Sequence, residues 1–164
     1  MSFSDSGGLS ALDYLAVSQL QARSASLLDA GRWEDWAALF TEEGIYKLQP
    51  RENFERGFPL ATMFFESRGM LLDRAYAVRE TLFHDPYYQR HVVGAPLLLK
   101  VDNGRIHTES SYAVFRTKLS QESTVFNVGR YLDIIVPTSD GLRFAQRLAI
   151  YDSEMIPNSI IYPI

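Results

Sequence analysis

The sequence contains no cysteine among its 164 residues. The chain's own side chains therefore cannot form a disulfide, a thiolate nucleophile, a cysteine-ligated zinc site or a cysteine-held iron–sulfur cluster. Any electron-transfer step would have to be carried out by another chain. The N-terminus also has neither the basic nor the apolar region of an export signal, and we predict a cytoplasmic protein.

Several other functional classes find little support in the composition and motifs. The formal net charge is −4, which gives no electrostatic reason to bind nucleic acid or an anionic membrane surface. No stretch approaches the roughly 20 apolar residues that span a bilayer. A glycine-rich phosphate loop and a Gly-x-Ser-x-Gly nucleophile motif are both missing. We therefore expect neither nucleic-acid nor membrane partners.

The composition that remains is that of an ordinary globular protein with many aromatic residues. The hydrophobic fraction is 46% and the charged fraction 22%, with ten Phe and nine Tyr. A chain of this length can bury a core as one unit, and we predict a single domain over residues 1–164 with a flexible N-terminus over residues 1–9. The aromatic content is typical of a wide sheet or a large interface.

The N-terminal half has the apolar spacing of helices. Residues 10–28 are predicted to form an amphipathic helix that begins at the capping pair Ser10 and Asp13 and ends before Gly31. The apolar stripe of this helix is assigned to Leu12, Leu15, Ala16 and Leu20, with Val17 at its flank. The other predicted elements of this half are a short helix carrying Trp33, Trp36 and Phe40, a strand at 45–48, a charged loop at 50–59, a returning strand at 60–65 and a third helix at 67–81.

After Pro86 the sequence changes to the two-residue period of strands. Strands of ten or more residues exceed the usual length, so we expect a strongly bent sheet with bulges near Gly94 or Gly129. The predicted strands cover 88–101, 105–118, 124–136 and 142–151. In the last strand, one face is assigned to Leu142, Phe144, Leu148 and Ile150, and the other, solvated or subunit-facing, to Arg143, Arg147 and Tyr151.

Helices first and a long meander afterwards predict an α+β fold. We expect three N-terminal helices to pack on a long curved antiparallel sheet that closes partly around them as a cone. This is the architecture of cystatin-like and nuclear-transport-factor-2-like (NTF2-like) proteins. Such a cone can hold a pocket, and the candidate acid–base residues for it are Asp35, Tyr46, His91, Asp133 and Asp152. Alternatively, Asp133 and Asp152 form structural ion pairs with Arg130, Arg143 or Arg147 on neighbouring strands.

The nine residues from Phe83 to His91 contain two histidines and a carboxylate. His84, Asp85 and His91 have the residue types of a two-histidine, one-carboxylate iron site. However, His84 and Asp85 are adjacent and Pro86 follows them, so their side chains should diverge. We therefore predict no metal site, but a loop histidine and a strand histidine that hydrogen-bonds a neighbour.

Four motifs stand in a distinctive order and spacing, namely Asp73-Arg74, Tyr88-x-Arg90-His91, Gly129-Arg130-Tyr131-x-Asp133 and the arginine-bearing last strand that leads to Asp152. With these motifs the chain resembles, from about Leu27 onward, the small (β) subunits of aromatic-ring-hydroxylating dioxygenases. Segments 50–55, 85–91 and 151–159 are most similar to salicylate 5-hydroxylase small subunits, and terephthalate dioxygenase small subunits are more distant.

The resemblance implies an NTF2-like cone and an α3β3 assembly. In that family the large α subunit carries the Rieske [2Fe–2S] cluster and the mononuclear iron, and a reductase and a ferredoxin supply electrons from NAD(P)H. This chain would then be a trimer-forming, non-catalytic scaffold of an oxygenase for an aromatic acid such as salicylate, without catalytic, cofactor-binding or metal-binding residues of its own. The alternatives are a stand-alone pocket enzyme (a dehydratase or isomerase) and a small-molecule binding module.

Two surface predictions accompany this hypothesis. Tyr and Arg are favoured at the centres of buried contacts, so we expect Tyr88, Arg90, Arg130 and Tyr131 to lie at a subunit interface. The segment 156–164 is apolar, and we expect it to pack on the sheet or on a neighbouring chain.

Overall fold

The computed structural model describes residues 9–82, 84–155 and 160–164, and these residues form one α+β unit. Most of the predicted flexible N-terminus (residues 1–8), Phe83 and residues 156–159 lie outside the described residues. Within the described ranges no helix is both long and apolar enough to cross a membrane. The helices are α1 (Ala11–Asp29), α2 (Trp33–Ala37), α3 (Arg51–Glu55) and α4 (Arg68–Tyr76), the last continued by a π-helical turn over Ala77–Thr81. The strands are β1 (Phe40–Pro50), β2 (Met63–Phe65), β3 (Tyr88–Val93), β4 (Leu97–Asp102), β5 (Arg105–Thr117), β6 (Thr124–Thr138) and β7 (Gly141–Tyr151).

The seven strands form a single sheet in the order β2-β1-β7-β6-β5-β3, with β4 also paired to β5. Neighbouring strands are antiparallel, as predicted, except that β1 and β7 run parallel. A wholly antiparallel sheet was therefore a wrong prediction at this one pairing. Sequence periodicity does not reveal which strands become neighbours, because a parallel pair is joined only by a long crossover.

The boundaries of several predicted elements differ from the structure. The short second helix ends at Ala37, and Phe40 is the first residue of β1, which is longer than the predicted strand. The predicted charged loop contains α3. The predicted strand 88–101 is divided into β3 and β4 around Gly94. Val93 and Leu97 are four residues apart, whereas their partners on β5, Tyr112 and Glu109, are three apart, so this edge of the sheet has one extra residue. The bulge predicted there is confirmed.

Helix α1 begins at the predicted cap: Ser10 and Asp13 form a reciprocal capping box. Gly31, beyond its C-terminal end, has the positive φ of +67° that favours glycine. The predicted apolar stripe is partly wrong, because Leu12 and Leu15 are 76% and 53% exposed. The buried face instead comprises Val17, Leu20, Gln21, Ser24, Leu27 and Leu28. Two of these, Gln21 and Ser24, are polar, and their partners lie on the sheet and on α2.

Gly129 lies in β6 without a bulge of its own. The register with β5 shifts where Val114 and Phe115 pair with Asn127 and Val125, so β6 holds one extra residue, Phe126, three residues before Gly129. The bulge predicted near Gly129 is therefore confirmed. A Cβ atom at position 129 would lie 2.0 Å from the carbonyl oxygen of Ile150 on β7. Glycine is therefore required here for the close approach of two backbones, and not for a bend.

Candidate functional site

The interior of the sheet contains a fully buried ion pair between Asp133 of β6 and Arg147 of β7. The two residues are direct partners in the register of these strands. Arg147 Nε donates to Asp133 Oδ1 at 2.9 Å and Nη2 donates to Oδ2 at 2.7 Å, the bidentate geometry of a strong charge-assisted pair. The side chains are 2% and 0% exposed. The predicted pairing of Asp133 with an arginine of a neighbouring strand is confirmed.

Polar residues of α1 complete the hydrogen bonds of this pair. Gln21 Nε2 donates to Asp133 Oδ2 at 3.0 Å, and Gln21 Oε1 accepts from Ser110 Oγ at 3.0 Å. Ser24 Oγ accepts from Arg147 Nη1 at 2.9 Å and from the indole N–H of Trp36 at 3.0 Å. This explains why Gln21 and Ser24 lie on the buried face of α1. We call the ion pair and its four partners, Gln21, Ser24, Trp36 and Ser110, the core polar network.

The electrostatics of the network keep Arg147 charged. Burial, the largest single effect, would lower the pKa of the Arg147 guanidinium, but the Asp133 carboxylate, together with Tyr131 and Tyr46, raises it above its usual value. The guanidinium also lies 4.2 Å from the ring centres of Tyr131 and Phe144. Burial raises the pKa of Tyr131 above its usual value, so its hydroxyl stays protonated. The network thus consists of an ion pair and neutral partners with fixed geometry.

The prediction of a solvated face with Arg147 was wrong because β7 contains an irregularity. The register with β6 shifts between Phe144 and Gln146, which inserts one extra residue. Since a one-residue shift exchanges the two faces of a strand, Arg147 joins Phe144 on the inner face. The apolar residues of β7 alternate regularly in the sequence, so the sequence gives no indication of this bulge.

His91 forms a second buried polar contact, with Asp29 at the C-terminal end of α1. Its Nδ1 lies 2.6 Å from Asp29 Oδ1, and its backbone N–H donates to both carboxylate oxygens at 3.0 and 3.1 Å. The prediction of a strand histidine bonded to a neighbour is confirmed. The other ring nitrogen, Nε2, is buried and has no hydrogen-bond partner among the described residues. The pair fastens α1 to β3, and it is the arrangement closest to an acid–base dyad.

The candidate metal ligands have separate partners. His84 Nε2 lies 2.7 Å from the hydroxyl of Tyr162, whereas Asp85 accepts from Lys118 Nζ at 2.7 Å. The hydrogen bond from Lys118 lowers the pKa of the exposed Asp85 carboxyl. His91 is committed to Asp29. In the parts of the chain that the structure describes, no group of three His, Asp or Glu side chains could hold a metal ion.

Only three of the five candidate pocket residues lie in the interior, namely Tyr46, His91 and Asp133. Asp35 is exposed and pairs with Arg32 at 2.7 Å, and Asp152 pairs with Arg51 at 3.2 Å instead of with a strand arginine. Three surface clefts have volumes of about 630, 730 and 190 Å³. Neither the core polar network's ion pair nor His91 lines any of them.

The segment Ile160–Ile164 packs into the fold through its backbone, as predicted; residues 156–159 of the predicted segment lie outside the described residues. Arg74 of α4 donates to the carbonyl of Ile161 at 2.6 Å. The Tyr46 hydroxyl donates to the carbonyl of Ile164 at 2.8 Å and accepts from its N–H at 2.9 Å. Burial raises the pKa of Tyr46, which keeps this hydroxyl in the neutral form that can both donate and accept.

We predict that Tyr46→Phe lowers the free energy of unfolding by about 2 kcal/mol, because it leaves the buried N–H and carbonyl of Ile164 without partners. Equilibrium urea unfolding of the purified chain would measure this. The matched control is Tyr14→Phe, which removes one hydroxyl bond, to Pro96 at 2.8 Å, from a half-exposed tyrosine. Equal losses in the two variants would contradict a structural role for the buried segment.

The predicted interface residues differ in their location. Tyr88 is 79% exposed and Arg90 is also exposed, whereas Arg130 is partly buried beside Glu109 at 3.5 Å. Tyr131 requires a correction: it is 1% exposed and stacks on Tyr112 with ring centres 4.3 Å apart, so it faces the core and not a neighbouring subunit. Arg130 and Tyr131 are consecutive residues of β6, so their side chains lie on opposite faces of the strand. The interface assignment of Tyr88, Arg90 and Arg130 stays a prediction.

Comparison with known proteins gives consistent similarities. The SnoaL-like domain family matches residues 10–148. The chain is 32% identical over 151 residues to the anthranilate 1,2-dioxygenase small subunit from Burkholderia cepacia, covering 92% of this chain and 94% of that protein. It is 26% identical to subunit beta 1 of the terminal oxygenase component of terephthalate 1,2-dioxygenase from Comamonas sp., covering 93% and 99%.

A solved structure shares both fold and sequence with this chain. It is described as the β subunit of an aromatic-ring-hydroxylating dioxygenase from Novosphingobium aromaticivorans. The TM-score is 0.84 at 31% identity, covering 93% of this chain and 97% of that one. The predicted α+β, NTF2-like fold is confirmed by these matches and by the curved seven-stranded sheet.

Proposed function

Because this chain belongs to the SnoaL-like domain family and, within it, to the small (β) subunits of aromatic-ring-hydroxylating dioxygenases, we propose that it is a non-catalytic subunit that holds the catalytic large subunits of such an oxygenase in place. The core polar network is the observation that carries this proposal. It occupies the interior, where a pocket enzyme needs open space beside a tuned base. Every charged atom there already has a partner within the chain.

The finer proposal concerns assembly and substrate. We propose that the chain trimerises within an α3β3 complex in the cytoplasm, with Tyr88, Arg90 and Arg130 at subunit contacts. The substrate would be an aromatic acid such as salicylate. The names of the relatives support an acid: anthranilate and terephthalate are aromatic carboxylates. Electrons would reach the complex from NAD(P)H through a reductase and a ferredoxin.

The residues of this chain do not fit the iron groups of such a complex. A Rieske cluster needs cysteine ligands, and the sequence has none. His84, Asp85 and His91, the residues closest to a mononuclear iron set, have separate partners. We therefore propose that both the Rieske cluster and the mononuclear iron belong to the large subunit. This chain would hold the large subunits in position and stabilise the complex.

One observation favours a second candidate, a stand-alone dehydratase or isomerase. The Nε2 of His91 is buried without a partner among the described residues, and Asp29 lies on the opposite ring nitrogen, which is the form of a general base and its orienting carboxylate. Such an enzyme would turn over substrate without a partner. A His91→Gln variant would then lose that activity, whereas a purely structural His91 would affect only stability.

Expression of this chain with and without its cognate large subunit tests the proposal. We expect co-purification and a large shift in size when both are present, measured by light scattering after gel filtration. Purified alone, the chain should contain no stoichiometric iron and should hydroxylate no aromatic acid. One iron per chain that survives mild chelation, turnover by the chain alone, or failure to bind the large subunit would contradict it.

A further inference from the structure

One of the three clefts is a groove between α1 and the β6–β7 turn. Its volume is about 630 Å³. Its floor is formed by Leu20, Leu39 and Leu142, whose side chains are nearly buried. Arg23 of α1 and Arg143 of β7 also line it. We call it the α1 groove.

The charge of the α1 groove is opposite to that of the whole chain. Arg23 and Arg143 form no ion pair with a carboxylate in the described residues, although most other arginines there do. One acidic residue, Asp140, lines the groove, and its carboxylate accepts from Ser139 Oγ at 3.4 Å. Two arginines against one aspartate leave the groove positive, in a chain whose formal net charge is −4.

An exposed apolar strip extends the groove toward the start of α1. Leu12 and Leu15 are the exposed leucines of the helix. They precede the groove residues Ala16 and Gln19 by four residues each, a spacing that puts them on the same side of the helix. The combined surface is long and open, with an apolar floor and a cationic rim.

The α1 groove lies far from Tyr88 and Arg90, two of the three residues proposed for subunit contacts. Tyr88 pairs with Thr117 at one end of β5, whereas Ile106, at the other end, pairs with Ile135 close to the β6–β7 turn. The eleven residue steps between Ile106 and Thr117 span roughly 36 Å in an extended strand. A different partner can therefore bind at the groove end of the sheet.

We infer that the α1 groove is the docking site for an acidic, partly apolar segment of the large subunit. This inference rests on the proposed function. Carboxylates of the segment pair with Arg23 and Arg143, and its apolar side chains cover Leu12, Leu15 and the leucine floor. A free aromatic carboxylate would cover only part of such an open surface and would leave the leucine strip exposed. A peptide segment covers both.

The test reverses the two charges in the full chain and measures its binding to the cognate large subunit. Arg23→Glu/Arg143→Glu should weaken binding of the purified cognate large subunit at least about tenfold, because like charges then face each other. Arg23→Lys/Arg143→Lys should bind nearly as the wild type. Arg23→Gln/Arg143→Gln should weaken binding less than the double glutamate variant does. Its affinity should also depend less on salt than that of the wild type, because the ion pairs that salt screens are absent. Binding is measured by surface plasmon resonance at about 50, 150 and 400 mM NaCl, which changes the length over which salt screens the charges.

The matched control is Arg32→Glu/Arg56→Glu. It changes the net charge equally, but these exposed arginines pair with Asp35 and Glu52 on other surfaces. Unchanged affinity and salt dependence in the groove glutamate variant, or an equal loss in the control, overturns the inference while the proposed function stands. A wild-type chain that does not bind the large subunit overturns both. Benzoate binding that depends on Arg23 and Arg143, with assembly unaffected, assigns the groove to a small molecule and also overturns the inference.

Discussion

Replacing Arg147 by methionine is expected to lower the free energy of unfolding by about 3–5 kcal/mol, because the Asp133 carboxylate would then be buried without its counter-ion. Gln21 would remain as its hydrogen-bond donor, and one amide cannot replace two charged donors. Removing a buried charge partner is among the few mechanisms that produce losses of this size. Chemical unfolding followed by circular dichroism would measure the difference.

Two companion variants make this result specific. Arg130→Met removes the other arginine pair of β6, the partly exposed contact with Glu109, and should cost less than about 1 kcal/mol. The double variant Asp133→Leu/Arg147→Met removes both charges and should be more stable than either single variant. Strictly additive losses would show that the ion pair does not act as a unit.

Gly129→Ala is expected to cost about 3 kcal/mol or more of unfolding free energy. The added Cβ would lie 2.0 Å from the Ile150 carbonyl oxygen, and within 3 Å of two further backbone atoms of β7. Backbone atoms in the centre of a sheet cannot move aside as a flexible side chain would, so β6 and β7 must separate. The strands that hold Asp133 and Arg147 opposite each other would be displaced with them.

Gly69→Ala provides the comparison for this effect. Gly69 lies in α4, and its added Cβ would be no closer than 3.6 Å, to Ser67 Oγ. Alanine is the better helix former, so this variant should be as stable as the wild type or slightly more so. Thermal melts of both variants would show the contrast. A Gly129→Ala chain that melts with the wild type would disprove the close-approach role.

Local signals in the sequence account for most of the fold. The capping box at Ser10, the stop at Gly31 and the period-two runs after Pro86 define elements whose residues are near one another in the chain. Their order suffices for an α+β prediction. The parallel pairing of β1 with β7 and the extra residue in β7 depend on contacts between distant residues. No local pattern encodes them.

The candidate site was predictable only where one partner implied the other. Asp133 and Arg147 lie on consecutive strands, so their pairing could be expected from a hairpin. The Asp29 that binds His91 is 62 residues away on a helix, and the apolar stripe predicted for α1 did not include the buried Gln21 and Ser24. Helix rotation is set by what the helix packs against. Here α1 packs against an ion pair, and the apolar alternation of β7 gave no indication that Arg147 is buried.

The parallel neighbours β1 and β7 make the order of synthesis important for folding. Ile45 pairs with Gln146, about 100 residues later in the chain. Until the ribosome has released β7, the side of β1 that faces it has no hydrogen-bond partner, and the centre of the sheet cannot close. Pairings between such distant residues fold slowly and leave strand edges open to aggregation. The sheet can therefore be completed only once β7 has been synthesised and has paired with β1.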